Sequence, residues 1–195
     1  MATRVDEVPE IAFASRADWA AWLARNHASS AGVWLLIAKK DGGARTVSYA
    51  EALDVALCYG WIDGRKGARD ETHWLQRFSP RTARSKWSRI NRDKAQALID
   101  AGQMHPAGLR EVERAKADGR WETAYAGQRI AEVPSDLAEA LAANDAAREF
   151  FATLNGANRY AIIYRIHDAK RPQTRAQRIA KFVAMLADHQ TIHPQ

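Results

Sequence analysis

The sequence predicts a helix-rich α+β fold, with a small antiparallel sheet and flanking helices in the N-terminal part and an all-helical C-terminal module. Three observations predict it. β-prone runs such as Val33–Ala38 occur only before about residue 80. From Leu137 onward the apolar residues recur at helical spacing alone. Between these regions, residues 127–133, running from Gly127 up to Pro134, read as a linker. The expected organisation is an α+β part over 1–126, the linker, and a helical module over 134–195.

In chain order, Ser15 reads as an N-cap with Asp18 three residues on, and Trp19, Trp22 and Leu23 follow at i, i+3 and i+4. That helix runs to about His27. Gly32 precedes the compact run Val33–Ala38, and Asp41-Gly42-Gly43 reads as a turn. Ser48-Tyr49-Ala50-Glu51 is a capping box whose helix runs to Tyr59, with Gly60 placed to end it. That helix is apolar nearly all round and is expected to be central.

Trp61-Ile62-Asp63 and Thr72–Phe78 read as a hairpin with a long tip through Gly64 and Gly67, stopped by Ser79-Pro80. Ser85 then caps a helix with Trp87, Ile90, Ala97, Leu98 and Ala101 on one face, ended by Gly102. Pro106–Ala117 is a further helix, closed by Asp118-Gly119. In the C-terminal module the apolar sets are Leu137, Ala140 and Leu141, then Ala147, Phe150, Phe151 and Leu154, then the span Tyr160–His167. The last helix begins near Pro172 and buries Ile179, Phe182, Val183 and Leu186, with Arg171, Arg175, Arg178 and Lys181 opposite.

Composition narrows the class. With 195 residues at 47% hydrophobic, the chain is long and apolar enough for a real core, which excludes a disordered protein. No apolar stretch approaches the ~20 residues of a membrane span, so no membrane insertion is expected. Met1–Glu10 carries acids and no apolar leader core, which points to the cytoplasm. The single cysteine, Cys58, leaves no internal disulfide and fits a reducing compartment.

Charge is localised. Between Arg77 and Lys94 stand seven bases against one acid, Asp93, whereas the remaining 22 bases and 22 acids cancel. The whole formal net charge of +6 therefore sits in one window, which suits an anion. The other reading is a solvated segment whose charges meet acids elsewhere in the fold. Within it, Arg77, Arg81, Arg84, Ser85, Lys86, Ser88 and Arg89 are the candidate anion-binding residues. Ser85 and Ser88 fall at the first turn of the expected helix, where free N–H groups and arginines suit a phosphate. Phe78 and Trp87 among the bases are of a type that stacks on nucleobases, though Trp87 and Ile90 read better as core.

Other chemistry is sparse. Gly60–Gly67 matches neither a Walker loop nor a dinucleotide fingerprint and reads as a tight helix-to-strand turn. Asp63 and Arg65 in it form a possible functional turn, with Asp63 as either an acid or a turn cap. Six scattered histidines, with only His189 and His193 four apart near the terminus, do not point to a metal site. Cys58, on an apolar helix, reads as a small buried hydrophobe. No catalytic set and no cofactor is indicated.

Several blocks carry a resemblance. They are Trp19-x-x-Trp22-Leu23, Gly32-Val33-Trp34-Leu35, Lys39-Lys40, Ser48-Tyr49-Ala50-Glu51-Ala52, Ala56–Gly64, Arg77-Phe78-Ser79-Pro80-Arg81, Ser85-x-Trp87-Ser88, Met104-x-Pro106-Ala107-Gly108, Asp118–Trp121, Ala169–Arg175 and Arg178-Ile179. With them the chain resembles, over nearly its whole length, the YdeI/OmpD-associated or bacteriocin-protection family. Tyr59 and Ser79 stand where that family more often has Phe and Thr. The resemblance implies a link to bacteriocin or cationic-peptide resistance and to a porin, a grouping with small α/β sandwiches of the YjbR/CyaY-like kind, and no catalytic residue. A chain of charge +6 repels cationic peptides, so any protection is indirect.

The expected function is therefore a non-enzymatic cytoplasmic accessory protein of stress or antimicrobial resistance. It binds an anionic partner, whether nucleic acid, a phosphate ligand or an acidic protein surface. A nucleic-acid-binding module and an enzyme acting on a phosphorylated small molecule are the alternatives. A closed pocket holding Asp63 and arginines marks the enzyme, and a flat basic face with accessible aromatics marks nucleic acid.

Overall fold

A computed structural model describes residues 8–40, 43–127 and 131–195. Asp41 and Gly42 of the expected turn, and residues 128–130 of the expected linker, lie outside the described residues. The chain divides into two compact units, Met1–Ala124 and Tyr125–Gln195. Among the described residues all the strands fall in the first unit, and every element of the second is a helix.

The first unit runs β1 (Glu10–Ala12), α1 (Arg16–Asn26), β2 (Val33–Ala38), α2 (Tyr49–Cys58), β3 (Trp61–Ala68), β4 (His73–Pro80), α3 (Arg89–Asp100) and α4 (Pro106–Ala117). The strand order is β1-β2-β4-β3. β2, β4 and β3 pair antiparallel, as expected from the sequence. β1 corrects the expectation of a wholly antiparallel sheet, because it lies parallel to β2. Parallel neighbours need a crossover, and α1 is that crossover. Three residues are too few to display a two-residue period, which is why β1 is silent in the sequence.

The hairpin also differs from its expected form. β3 continues through Gly64 and Gly67 to Ala68, with a register shift between Asp63 and Lys66. Buried Gln76 holds this bulge, since its Nε2 donates to Gly64 O at 2.9 Å and to Arg77 O at 3.2 Å. The turn proper is short. The Asp70 carboxylate accepts from the Thr72 hydroxyl and from the backbone N–H of Thr72 and of His73, and these bonds, the hydroxyl's foremost, hold its pKa down at about 2. Ser79 and Pro80 do not stop β4, because they pair with Ile62 and Trp61 at its end, where a missing N–H is tolerated.

The core lies between the sheet and the helices. Trp19, Trp61, Phe78 and Leu23 are essentially inaccessible, and Trp22 and Phe13 pack around them. Two indole donors find carbonyls, Trp19 Nε1 on Ala52 O at 3.0 Å and Trp61 Nε1 on His27 O at 3.2 Å. α2 buries Ala52, Leu53, Val55, Ala56, Leu57 and Cys58, and its capping box is complete.

The second unit consists of α5 (Ser135–Ala142), α6 (Asp145–Thr153), α7 (Gly156–His167) and α8 (Pro172–Ala187). Leu137, Ile162, Ile166, Phe182 and Leu186 form its core. Buried Asn158 fixes the chain end: its Oδ1 accepts from the N–H of Ile192 and of His193, and its Nδ2 donates to His193 O. Arg175 grips Asp136 with two hydrogen bonds, which hold that carboxyl below its usual range. Among the described residues no helix is long and apolar enough to cross a membrane.

Candidate functional site

The basic segment leaves the sheet at the end of β4 and enters α3. Its helix starts later than expected. Ser88, not Ser85, is the N-cap, with its hydroxyl accepting from Asn91 N at 3.1 Å. Ser85 instead closes the preceding loop, where its hydroxyl accepts from Thr82 N at 2.9 Å. The helix also turns a different face inward from the one its spacing suggests. Ile90 is 54% exposed rather than core, and Asn91 and Ala95 take the buried positions. Trp87, ahead of the helix, is buried as expected and meets Trp121 edge-on at 5.0 Å.

The seven bases of the window divide sharply. Arg77 turns inward, with Nη1 donating to Phe78 O and Nη2 to Ala31 O. It fills the space above Gly32, where an added Cβ would fall 2.0 Å from its guanidinium. Burial, and then the charge of Arg65, lower the pKa of Arg77. Arg81 is only 6% exposed. Its guanidinium lies 3.5 Å from the centre of the Trp87 ring and donates to Lys86 O. Arg92 pairs with Asp93, and Lys94 with Asp54 at 2.7 Å. Arg84, Lys86 and Arg89 are exposed. Arg84 and Arg89 form no ion pair with the described residues.

Asp63 stands on β3, half-buried, between two helix starts. It accepts from the Tyr49 hydroxyl at 2.8 Å and from Asn91 Nδ2 at 3.3 Å. It therefore ties β3 to the first turns of α2 and α3. Arg65, in the bulge, is exposed. Lys66 lies over the rings of Trp74 and Tyr49. Asp63 thus sits with Tyr49 and Asn91 rather than with Arg84 or Arg89.

Two participants were not singled out from the sequence. Arg120, just past the end of α4, donates to Ser85 O and grips Asp118, so it pins the cationic loop. Gln76 shapes the bulge that carries Arg65. The Asp118-Gly119-Arg120-Trp121 block was the only available signal for the first, and nothing in the alternation of β4 marks the second.

Among the described residues no three His, Cys, Asp or Glu gather to hold a metal ion. An open groove in the second unit is lined by Ala140, Asn144, Ala176, Ile179, Ala180, Val183 and Ala184 and contains none of these candidate residues. Cys58 is buried, and burial pushes its thiol pKa up. A thiol reagent is expected to label it slowly in the native protein and rapidly after unfolding, and fast native labelling would reopen a redox role.

The fold and the loop together define a helix-rich α+β protein that carries a cationic segment on its sheet-bearing unit. Residues 11–111 match the family model described as Domain of unknown function (DUF8412), just over half of the sequence, and the chain belongs to that family. Residues 131–189 match the model described as Bacteriocin-protection, YdeI or OmpD-Associated. The expected YdeI/OmpD-associated relationship is thus shown for the C-terminal part, a narrower reach than the near-full-length resemblance. No curated protein and no solved structure matches the chain.

Proposed function

We propose that this is a non-enzymatic cytoplasmic accessory protein, linked to bacteriocin, antimicrobial-peptide or stress resistance, that holds an anionic partner on the loop bearing Arg84, Lys86 and Arg89. One observation carries the reading: Arg84 and Arg89 are exposed and form no ion pair with the described residues. Such cations are available to an external anion, and Ser88 starts a helix between them. Arg77 and Arg81 serve the loop from within, as its scaffold.

Nucleic acid enters this reading through its phosphates. Phe78 and Trp87 are buried, which supports backbone contact rather than base stacking. The enzyme reading gains nothing from Asp63, whose two carboxylate oxygens accept from Tyr49 and Asn91. The test is fluorescence anisotropy with duplex DNA across a salt series. Log affinity is expected to fall with log salt by about 0.9 per phosphate neutralised. Arg84→Glu with Arg89→Glu is expected to weaken binding to all sequences alike and to flatten that slope, with an unchanged melting curve. Wild-type protein that binds neither DNA, nor inorganic phosphate, nor an acidic protein surface at low salt would overturn the reading.

A further inference from the structure

Three rings meet where helices of the first unit end and begin. His27 is the C-cap of α1, Tyr59 the C-cap of α2, and His105 the N-cap of α4. The two imidazoles stand edge to face with centres 5.0 Å apart, and Tyr59 stacks on His105 at 4.7 Å.

The hydrogen bonds define where the protons are. His27 Nδ1 lies 2.9 Å from Leu23 O. A carbonyl only accepts, so Nδ1 of His27 carries a proton. His105 Nδ1 lies 3.2 Å from Ala107 N. A backbone N–H only donates, so Nδ1 of His105 holds a lone pair and the neutral ring carries its proton on Nε2. A metal ion bridging both Nε2 atoms would need the opposite tautomer at His105 and would abolish the cap. The arrangement therefore suits proton binding rather than metal binding.

We propose that His105 is a pH-sensitive latch: protonation of its imidazole releases the first turn of α4 from its cap. In the imidazolium both ring nitrogens are donors, so Nδ1–H would face the Ala107 N–H at the positive end of a helix dipole. The neighbours do not compensate. His27, with Arg25 in the last turn of α1, stands on one side. Tyr59 and the thiol of Cys58 close α2, and Asp54, a turn earlier on that helix, is paired with Lys94. On α4 itself Arg110 adds like charge, and Glu111 is paired with Arg114. Burial, then His27 and Arg110, lower the pKa of His105.

The sign follows from that direction. The folded state resists the proton more than the unfolded chain does. Stability is therefore intact above the unfolded-chain value near 6.5 and falls as pH drops below it toward the depressed folded value. The released turn is the one that touches α2. His105 N donates to Cys58 O at 3.1 Å, and the N–H groups of Gly108 and Leu109 bond to His105 O.

Amide hydrogen exchange and an imidazole NMR titration on the full chain test this. Protection of Ala107, Gly108 and Leu109, corrected for intrinsic rates, is expected to fall about tenfold between about pH 7.5 and about pH 5. Protection in the middle of α3 is expected to hold. His105→Asn keeps a capping acceptor without a titratable ring, and is expected to lose the pH response. If that variant fails to fold, the wild-type titration still decides. A His105 that titrates above 6.5, or protection of the first turn that does not change as the ring protonates, would overturn the proposal.

Discussion

Arg81→Glu is expected to unfold the first unit, while Arg84→Glu, three residues on, leaves its stability within about 0.5 kcal/mol. The contrast follows from where the two side chains go. Arg81 is 6% exposed, lies 3.5 Å above the face of Trp87 and donates to Lys86 O. A glutamate there would set a buried carboxylate against the negative face of an indole and against a carbonyl oxygen. Stranding a charge in this way costs about 3–5 kcal/mol, a large share of the stability of a single domain. Arg84 is exposed and carries no such contact. Circular dichroism and urea denaturation of the two variants check the result. An Arg81→Glu protein that melts like wild type would mean that the guanidinium is not what holds the loop.

Gly108→Ala carries the second large effect. Gly108 lies in the first turns of α4, against the end of α2. A Cβ at that position would come within 2.2 Å of Cys58 O and 2.8 Å of Leu57 O. Both atoms are backbone, and Leu57 and Cys58 belong to the central helix, so neither side gives way cheaply. Overpacking of this kind costs about 3 kcal/mol, which outweighs the ~1 kcal/mol that alanine gains over glycine in an ordinary helix. Gly102→Ala is a useful contrast, because nothing lies within 4 Å of a Cβ there and only its φ of +66° opposes the change. A Gly108→Ala variant as stable as wild type would mean that α2 and α4 approach less closely.

The helices were largely legible in the sequence because their signals are local. Ser15, Ser48 and the Pro106 start cap or open their helices within one turn, and Trp19 and Leu23 share a face by spacing alone. The departures all rest on contacts with distant residues. β1 exists because three residues find β2 across a helix, and β3 continues through two glycines because Gln76 on the neighbouring strand supports the bulge. α3 begins three residues later than its hydroxyl pattern suggests because Ser85 is drawn into the loop with Thr82 and Arg120.

The site was less legible for a related reason. A sequence shows that Arg77, Arg81, Arg84 and Arg89 are cationic, but an arginine stem is long enough to turn either way. Ala31, far along the chain, draws Arg77 inward, and Trp87 with Lys86 holds Arg81. Counting charge located the segment. Only the tertiary partners separate the bases that build it from those left facing water.

The strand order carries a kinetic consequence. β3 and β4 are neighbours in the chain, and Ala68 meets Trp74 across a short turn. β4 must also pair with β2, where Val33 meets Phe78 with the whole of α2 and β3 lying between them in the chain. The hairpin closes a small loop and the β2–β4 pairing a large one, so the second meets the greater entropic barrier. Folding of the first unit is therefore expected to be limited by the arrival of β2 at the hairpin, with low φ-values for β2–β4 contacts such as Val33 with Phe78 and high ones within the hairpin.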